Sequence, residues 1–441
     1  MKVLVIDSMV LCGELAWRAQ EAGHEVRYWL PHVKPGVRNP AWKGYLRKIE
    51  SWEAHMDWAD LIIVTDNAQY HGQLDKYYKA GYPIFGCNRT AAQLETDREL
   101  GQRVLDAAGI DVLPYVVFDD YDPAIAHVMR TRKLYASKPW GGTADKALSF
   151  VAKTPRGLVF KLQKWKEGDD LKGGKFILQE AVQGIEMAVG AWFGPGGFSK
   201  WKLENFEEKK LMNDGLGQNT GEQGTILRYV EKSKLFDDVL EPVAQVLHSM
   251  DYVGYVDMNC IIDPKTGVAW PLEFTMRFGW PLILIQMALH RGDPVEWMLD
   301  LIEGSDTLRV SDKIAVGVVL THGDFPECKL PLTAVQGYPL YGLEAVNRSD
   351  VYLCDMMEGI APGASLKDEE QPVTSGFFIA VVDGVGSTVA EARGDAYKTA
   401  GKFKEMPTNV MYRTDIGKRL KEQLPLLQKW GYAKGLHYGT D

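Results

Sequence analysis

The chain has 441 residues and a net charge of −9, and 46% of its residues are hydrophobic while 25% are charged. This balance excludes a disordered chain, and the length exceeds what one compact core usually holds, so we expect several domains. The negative charge argues against a dedicated nucleic-acid-binding surface, because phosphate groups require a basic face.

The cysteine spacing and the N-terminus indicate a cytoplasmic protein. Five cysteines lie far apart with no C-x-x-C pair, which is typical of reduced thiols. The apolar run after Met1 is interrupted by Asp7 and has no small-residue cleavage site. No apolar stretch approaches the roughly 20 residues that span a bilayer, so we expect no membrane segment.

The first 95 residues predict a small doubly wound α/β domain. Short apolar runs, which are typical of parallel strands buried on both faces, occur at residues 2–6, 25–29, 61–65 and 82–86. A helix is predicted over residues 91–108, with Gly109 as its C-terminal stop.

The rest of the chain predicts further strands and helices without an internal repeat. Strands are expected at residues 114–118, 133–138, 176–193 (two strands around a turn), 314–320 and 376–383. Helices are expected at residues 234–250 and 389–403. Residues 161–175, rich in lysine and glycine, predict an irregular solvated connection.

A hairpin between residues 254 and 275 is the most informative segment. Its strands flank Asp263-Pro-Lys-Thr-Gly267, a strong turn signal. If the hairpin has no bulge and is centred on Lys265, Asp257 lies directly opposite Glu273. Alternation of side chains along each strand places Asn259 and Thr275 on the same face of the hairpin as Asp257 and Glu273.

Two opposed carboxylates destabilise an ordinary sheet, but a divalent cation between them removes the repulsion. Oxygen ligands of this type suit Mg²⁺. On the hairpin alone, two solvated acids on an outer sheet face remain the alternative, and Pro271 cannot donate to a central ladder.

Beyond the hairpin, Glu273-Phe-Thr-Met-Arg-Phe-Gly279 resembles the E-F-N-x-R-F-G segment of the phosphoribosylamine–glycine ligase family, which belongs to the ATP-grasp superfamily. The loop at residues 218–224 resembles that family's P-N-T-G-G-M-G loop, with Glu222 and Gln223 in place of its second glycine and its methionine. Other segments resemble the same family in order along almost the whole chain, at residues 91–95, 374–376 and 412–417.

The resemblance implies an α/β (multi-domain α+β) architecture with the ATP-grasp fold. It implies a doubly wound N-terminal pre-grasp domain over residues 1–95 and an ATP-grasp domain over residues 96–311, whose lid covers about 114–190. A β-rich C-terminal domain would follow over residues 312–441. A monomer or a homodimer fits this reading.

The resemblance also implies site residues. The expected nucleotide ligands are Arg98 (where the family has lysine), Lys138 and Lys146 for phosphates, Glu180 and Val182 for adenine, and Glu186 for ribose. Arg277 and Lys138 are the expected catalytic residues, and the substrate ligands are Asn219, Thr220, Gly221 and Trp280. The metal ligands would be Asp257, Glu273, Thr275 (where the family has asparagine) and Asn259.

The implied reaction uses ATP and Mg²⁺, with Mn²⁺ as an alternative metal. A substrate carboxylate attacks the γ-phosphorus and forms an acyl phosphate, and an amine then displaces phosphate to give an amide. The substrates would be small molecules, an amino acid and an amine that can be nucleotide-like.

The departures from the family fall on the acceptor side. The family's glycine-rich opening is replaced by Asp7-Ser-Met-Val-Leu-Cys-Gly-Glu-Leu15, its R-F-G-D-P-E by Arg277-Phe-Gly-Trp-Pro-Leu282, and its H-A-G-T by residues 352–355. These changes favour an altered amine with an aromatic or apolar part against Trp280. A true phosphoribosylamine–glycine ligase remains the first alternative.

A nucleotide-binding pseudoenzyme is the second alternative, because Thr275 and Arg98 replace family residues. A nicotinamide-dependent oxidoreductase is disfavoured, since no G-x-G-x-x-G follows the first strand.

Overall fold

The computed structural model of the chain describes residues 1–67, 69–139, 150–168, 174–360 and 370–440. The N-terminal part is a five-stranded parallel sheet in the order β3-β2-β1-β4-β5. Its strands are β1 (Lys2–Ile6), β2 (Glu25–Trp29), β3 (Lys48–Ile49), β4 (Leu61–Val64) and β5 (Ile84–Phe85). The helices of this part are α1 (Gly13–Glu21) and α2 (His71–Lys79). The predicted strands are confirmed, and the last two are shorter than expected.

Two helices, α3 (Arg89–Thr96) and α4 (Arg98–Ala107), occupy the segment predicted as one. The prediction of a single helix was wrong because Asp97 has an extended backbone between them. Its carboxylate accepts the N–H groups of Glu99 and Leu100 and starts a new helix. The predicted stop is confirmed, since Gly109 follows α4 with a φ of +77°.

A four-stranded sheet in the order β6-β9-β7-β8 occupies the segment predicted as the lid, and we call it the lid below. Its elements are β6 (Tyr115–Phe118), α5 (Tyr121–Thr131), β7 (Tyr135–Pro139), β8 (Phe150–Val151), α6 (Pro155–Glu167) and β9 (Phe176–Glu180). The predicted irregular connection at 161–175 was wrong for its first half, because buried Leu158, Leu162 and Trp165 give α6 an apolar face. The glycine turn after β7, with Lys146, lies outside the described residues.

The largest sheet has nine strands and runs through the centre of the molecule. Its strands are β10 (Ile185–Gly194), β11 (Gly197–Glu207), β14 (Gly224–Val230), β15 (Gly254–Ile262), β16 (Ala269–Thr275), β19 (Ile314–His322), β20 (Val351–Leu353), β23 (Phe378–Gly386) and β24 (Val410–Met411). The path is β16-β15-β10-β11-β14-β19-β23-β20, and β24 pairs with β19. The sheet therefore continues across the predicted domain boundary at residue 311, and the three-domain division stays a prediction.

Small hairpins and helices surround this sheet. The short strands are β12 (Lys210–Met212), β13 (Leu216–Asn219), β17 (His290–Arg291), β18 (Arg309–Val310), β21 (Met356–Gly359) and β22 (Gln371–Thr374). The helices are α7 (Lys234–Val239), α8 (Ala244–Ser249), α9 (Leu282–Leu289), α10 (Glu296–Ile302), α11 (Val389–Ala400) and α12 (Leu420–Gln428). The single helix predicted at 234–250 was wrong, because Pro242 falls in a 3-10 turn between α7 and α8. Within the described residues, no helix is long and apolar enough to cross a membrane.

The hairpin of β15 and β16 has a different register from the predicted one. The turn joins Asp263 to Val268, so Ile262 faces Ala269. A bulge then leaves Leu272 without a partner.

Each of these two features shifts the pairing by one residue, so the predicted opposition of Asp257 and Glu273 was wrong. Asp257 pairs with Thr275, and Asn259 pairs with Glu273. The total shift of two residues preserves the parity of the side chains, and the four polar residues still share one face.

Candidate active site

One face of the nine-stranded sheet carries a continuous group of polar side chains. Glu273 lies beside Asn259, Asn259 beside Ala188, and Ala188 beside Asn205. The next same-face residue of β11 is Glu207, by strand alternation. Acids and amides thus line this face from β16 to β11.

Three cations surround Glu273 where the lid meets this face. Arg98, the first residue of α4, forms an ion pair with the Glu273 carboxylate. Lys138 of β7 donates to Oε1 of Gln179 at 3.0 Å. Lys209, just after β11, lies 2.9 Å from a Glu207 carboxylate oxygen and 3.3 Å from Oδ1 of Asn259.

The cations dominate the electrostatics of the site. Burial alone would raise the pKa of Glu273, but Arg98, Lys138 and Lys209 lower it well below its usual range. Burial lowers the pKa of Lys138 to about 8. The pKa of Lys209 is raised despite its burial, mainly by Glu207. The cluster is therefore suited to a polyanion with a fixed negative anchor at Glu273.

A chain of side-chain amides ties the lid to this cluster. Nε2 of Gln179 donates to Oε1 of Gln102 at 3.1 Å, and Nε2 of Gln102 donates to the Leu272 carbonyl at 3.2 Å. The unpaired bulge carbonyl thus receives a donor, and the lid strand β9, helix α4 and strand β16 are held in one arrangement.

Arg277 and Trp280 follow the hairpin, between β16 and α9. Nε of Arg277 is 3.3 Å from Oε1 of Glu95, and Glu95 also accepts the Met276 N–H at 2.7 Å. The rings of Trp280 and Phe378 pack edge to face with centroids 4.3 Å apart. The contact with Glu95 therefore fixes Arg277. The contact with Phe378 packs Trp280 against strand β23.

The expected adenine hinge lies between the two sheets. The N–H groups of Glu180 and Ala181 donate to the carbonyls of Pro114 and Leu134. Val182 donates its N–H to no residue in the described part of the chain. Glu186, expected for ribose, is exposed on β10.

The loop at residues 218–224 positions the site indirectly. The N–H and hydroxyl of Thr220 donate to the Lys209 carbonyl at 2.8 and 2.9 Å, which fixes the backbone of that lysine. Asn219 and Gly221 are exposed. The adjacent Glu222 is buried.

Sequence reasoning missed Lys209, Glu207, Glu222 and Asn205. Lys209 lies in the run Glu207-Glu-Lys-Lys210, which is typical of a solvated segment, and only the strand pairing places it against Asn259. The alternation of β11 offered the one available signal, since it places Asn205 and Glu207 on a common face.

The residues around Glu273 fit a nucleotide-bound Mg²⁺. The carboxylate of Glu273 and the amide of Asn259 belong to paired residues, so two hard oxygen ligands lie side by side. The three nearby cations match the phosphates with which Mg²⁺ usually shares its coordination shell. Asp257 and Thr275 lie one same-face position further along the strands, and their metal role stays a prediction.

Comparisons with known proteins agree with this architecture, although no family model matches the chain. The chain is 27% identical over 421 residues to a phosphoribosylamine–glycine ligase from Escherichia coli O6:H1, covering 90% of this chain and 94% of that protein. A crystal structure of phosphoribosylamine–glycine ligase from Thermotoga maritima superposes with a TM-score of 0.69 at 20% identity, covering 95% of this chain and all of that one (100%).

A second structural neighbour is described with a bound nucleotide. The biotin carboxylase domain of Hydrogenobacter thermophilus 2-oxoglutarate carboxylase, in complex with MgADP, ADP and bicarbonate, superposes with a TM-score of 0.64 at 13% identity. It covers 98% of this chain and 99% of that one, and supports the fold alone. Together with the hairpin and the cation cluster, these similarities confirm the expected resemblance and enzyme class: the chain is similar to phosphoribosylamine–glycine ligases over almost its whole length, has the ATP-grasp fold and is an ATP-dependent ligase.

Proposed function

We propose that the chain is an ATP-dependent carboxylate–amine ligase that activates an amino acid as an acyl phosphate. The observation that carries this proposal is the convergence of three cations around Glu273: Arg98 pairs with its carboxylate, Lys138 lines the same cavity, and Lys209 contacts its strand partner Asn259. Such a cleft is complementary to a triphosphate and its metal, whereas a solvated sheet face would not gather three cations around one partly exposed acid.

Each group has a role in binding the nucleotide. Glu273 and Asn259 would hold Mg²⁺, which supplies charge neutralisation to the phosphates when bound. Lys138 and Lys209 bind phosphate oxygens, and Arg98 exchanges Glu273 for a phosphate. Val182 and Glu186 would bind adenine and ribose by the hinge and strand β10.

The chemistry consists of two displacements. An oxygen of the amino-acid carboxylate attacks the γ-phosphorus, the bond to the β-phosphate oxygen breaks, and ADP leaves. The amine nitrogen then attacks the acyl carbon, and phosphate leaves with the bonding electrons. Two anions must approach each other in the first step, so Arg277 and Lys209 contribute chiefly by positioning and neutralising them.

Phosphoribosylamine is the first candidate acceptor, because the relatives found by sequence are named for it. Glycine is the corresponding amino acid. A second candidate acceptor is an amine without phosphate. The loop between β1 and α1 favours it.

In that loop a carboxylate of the chain itself accepts the backbone N–H groups that a phosphate would otherwise use. The Asp7 carboxylate accepts the N–H groups of Leu11 at 3.1 Å and Cys12 at 2.7 Å, next to the start of α1. The buried Trp42 ring packs against Gly13, where any Cβ would overlap the indole. These N–H groups are therefore engaged, whereas a loop that binds a phosphate keeps them free.

The ligase proposal is tested by trapping the acyl phosphate. The protein is incubated with ATP, Mg²⁺, glycine and hydroxylamine, and ADP and glycine hydroxamate are measured. We expect hydroxamate that depends on both ATP and glycine, and its loss in Glu273→Gln. Nucleotide binding without ADP release for glycine or any other standard amino acid would establish the pseudoenzyme instead.

The two acceptors are separated by competition. ADP release with glycine is compared between phosphoribosylamine and ribosylamine, which lacks the phosphate. A preference of about tenfold or more for phosphoribosylamine identifies a true phosphoribosylamine–glycine ligase. Equal or reversed rates identify the altered acceptor.

A further inference from the structure

Beside the phosphate-binding cations, the same sheet face carries Asp257 and Asn205, and the loop before β14 carries Glu222; the proposed chemistry uses none of these buried polar side chains. Asp257, Glu222 and Asn205 are 1%, 5% and 0% exposed. In each, one oxygen has no hydrogen-bond partner among the described residues: Oδ1 of Asp257, Oε1 of Glu222 and Oδ1 of Asn205. Buried oxygens nearly always have donors, so this cluster is built for donors that a ligand brings.

Two members of the cluster, Asp257 and Asn205, are held by hydrogen bonds. Oδ2 of Asp257 accepts from the hydroxyl of Tyr255 at 2.8 Å and from Nδ2 of Asn205 at 2.9 Å. Strand β10 makes room with Gly190, where a Cβ would overlap the Tyr255 hydroxyl and lie 2.7 Å from Oδ2 of Asp257. These bonds fix the carboxylate and the amide with one acceptor oxygen of each left over.

The neighbouring cations already have acidic partners. Lys209 pairs with Glu207 at 2.9 Å, and Arg277 with Glu95 at 3.3 Å. In the part of the chain that the structure describes, neither Asp257 nor Glu222 has an ion pair.

Glu222 lies at the end of β11, because the N–H of Gln223 donates to the Glu208 carbonyl at 2.8 Å and the N–H of Glu208 donates to the Gly224 carbonyl at 2.9 Å. Burial raises the pKa of Glu222 well above its usual range, and Glu207 and Asp257 raise it further. A positive group between Glu222 and Asp257 removes this repulsion. Glu222 also stands where the loop of the resembled family has glycine, so the second acid is a departure of this chain from that motif.

We propose that Asp257, Glu222 and Asn205 recognise the α-ammonium group of the amino-acid substrate. The proposal rests on the proposed ligase function and adds the residues that select an amino acid over other carboxylates. An ammonium group has three N–H donors, and the cluster offers three oxygens. Lys209 contacts Asn259, the strand partner of Glu273, so it lies on the side where the substrate carboxylate would meet the nucleotide. The site thus presents acids to one end of a zwitterion and cations to the other.

The test is calorimetric binding of glycine to the protein saturated with Mg²⁺ and a non-hydrolysable ATP analogue. Asp257→Asn and Glu222→Gln are compared with Asp383→Asn, a matched control. Asp383 is also buried with unpartnered carboxylate oxygens, but it lies on β23, five strands from β15. We expect at least about tenfold weaker glycine binding in the two site variants, unchanged binding in the control, and unchanged affinity for the analogue in all three.

Glycolate, which carries a hydroxyl in place of the ammonium, provides a second measurement on the unmodified protein. We expect it to bind at least about tenfold more weakly than glycine, and equally in all variants. Equal binding of glycine and glycolate, or glycine binding that both site variants retain, overturns the proposal. If Asp257→Asn no longer binds the analogue and Mg²⁺, the proposal is also overturned, since Asp257 would then be a metal ligand.

The outcomes separate this proposal from the ligase function. If glycine binds as expected but no hydroxamate forms with any amino acid, the recognition site stands and the ligase proposal fails. If hydroxamate forms with an unchanged KM for glycine in both site variants, the ligase stands and the recognition site fails.

Discussion

Nucleotide binding should weaken at alkaline pH through Lys138, and Lys138→Arg should remove that effect. Burial lowers the pKa of Lys138 to about 8 in the free protein, whereas bound phosphates hold the lysine in its charged form. The contribution of Lys138 to nucleotide affinity is therefore complete below the pKa that it has in the free protein, and it is lost as the pH rises through about 8.

The size of the effect follows from the protonated fraction. With a free-state pKa of about 8, roughly nine tenths of Lys138 is charged at about pH 7 and roughly one tenth at about pH 9. The dissociation constant of MgADP should rise about tenfold over this range. Lys209 does not contribute to this change, because its pKa is raised.

The assay is calorimetry with MgADP at both pH values and constant ionic strength, since phosphate contacts are screened by salt. In Lys138→Arg the side chain keeps its charge at both pH values, so the dissociation constant of MgADP should change by less than about twofold. Lys138→Met should bind weakly at both pH values. A parallel loss of affinity in the unmodified protein and in Lys138→Arg would refute the role of Lys138.

Two further changes test the site and its support. Lys209→Met should reduce glycine-dependent ADP release by about a hundredfold or more, because a cation that neutralises the reacting anions is lost. Lys210 is the next residue and lies on β12, and Lys210→Met should keep the rate of ADP release within about twofold of the unmodified protein. Equal losses of activity in both variants would contradict the role assigned to Lys209. Gly190→Ala should lower the free energy of unfolding in urea by about 1–3 kcal/mol, since its Cβ overlaps the Tyr255 hydroxyl. Gly72→Ala, in helix α2 with open space around the added methyl, should raise that free energy by about 0.5–1 kcal/mol, and a loss of stability there would contradict the packing argument.

The hairpin shows where reasoning from sequence succeeds and where it stops. Alternation correctly placed Asp257, Asn259, Glu273 and Thr275 on one face, because side-chain direction depends only on parity. Their partners were wrong, since the register depends on the turn length and on the bulge at Leu272. The bulge is stabilised by Gln102 from a helix far away in sequence, which no local pattern reveals.

The recognition cluster illustrates the same limit more strongly. Asn205 of β11 and Glu222 of the loop before β14 read in the sequence as ordinary polar residues, and Asp257 of β15 was expected to bind the metal. Their significance comes from burial and from oxygens without donors, which are properties of the packed molecule. Sequence motifs predicted nucleotide ligands because those residues lie in short contiguous segments.

By itself, the sequence determined the resemblance to phosphoribosylamine–glycine ligases, the parallel N-terminal sheet and the shared polar face of the hairpin. Those features rest on local periodicity and on contiguous motifs, which survive without knowledge of distant contacts. Only the tertiary structure paired Glu273 with Asn259, brought Lys209 against them, and left Asp257 beside Asn205 with a free oxygen. These arrangements depend on which strands become neighbours in the sheet, and that choice is made by the packing of the whole chain.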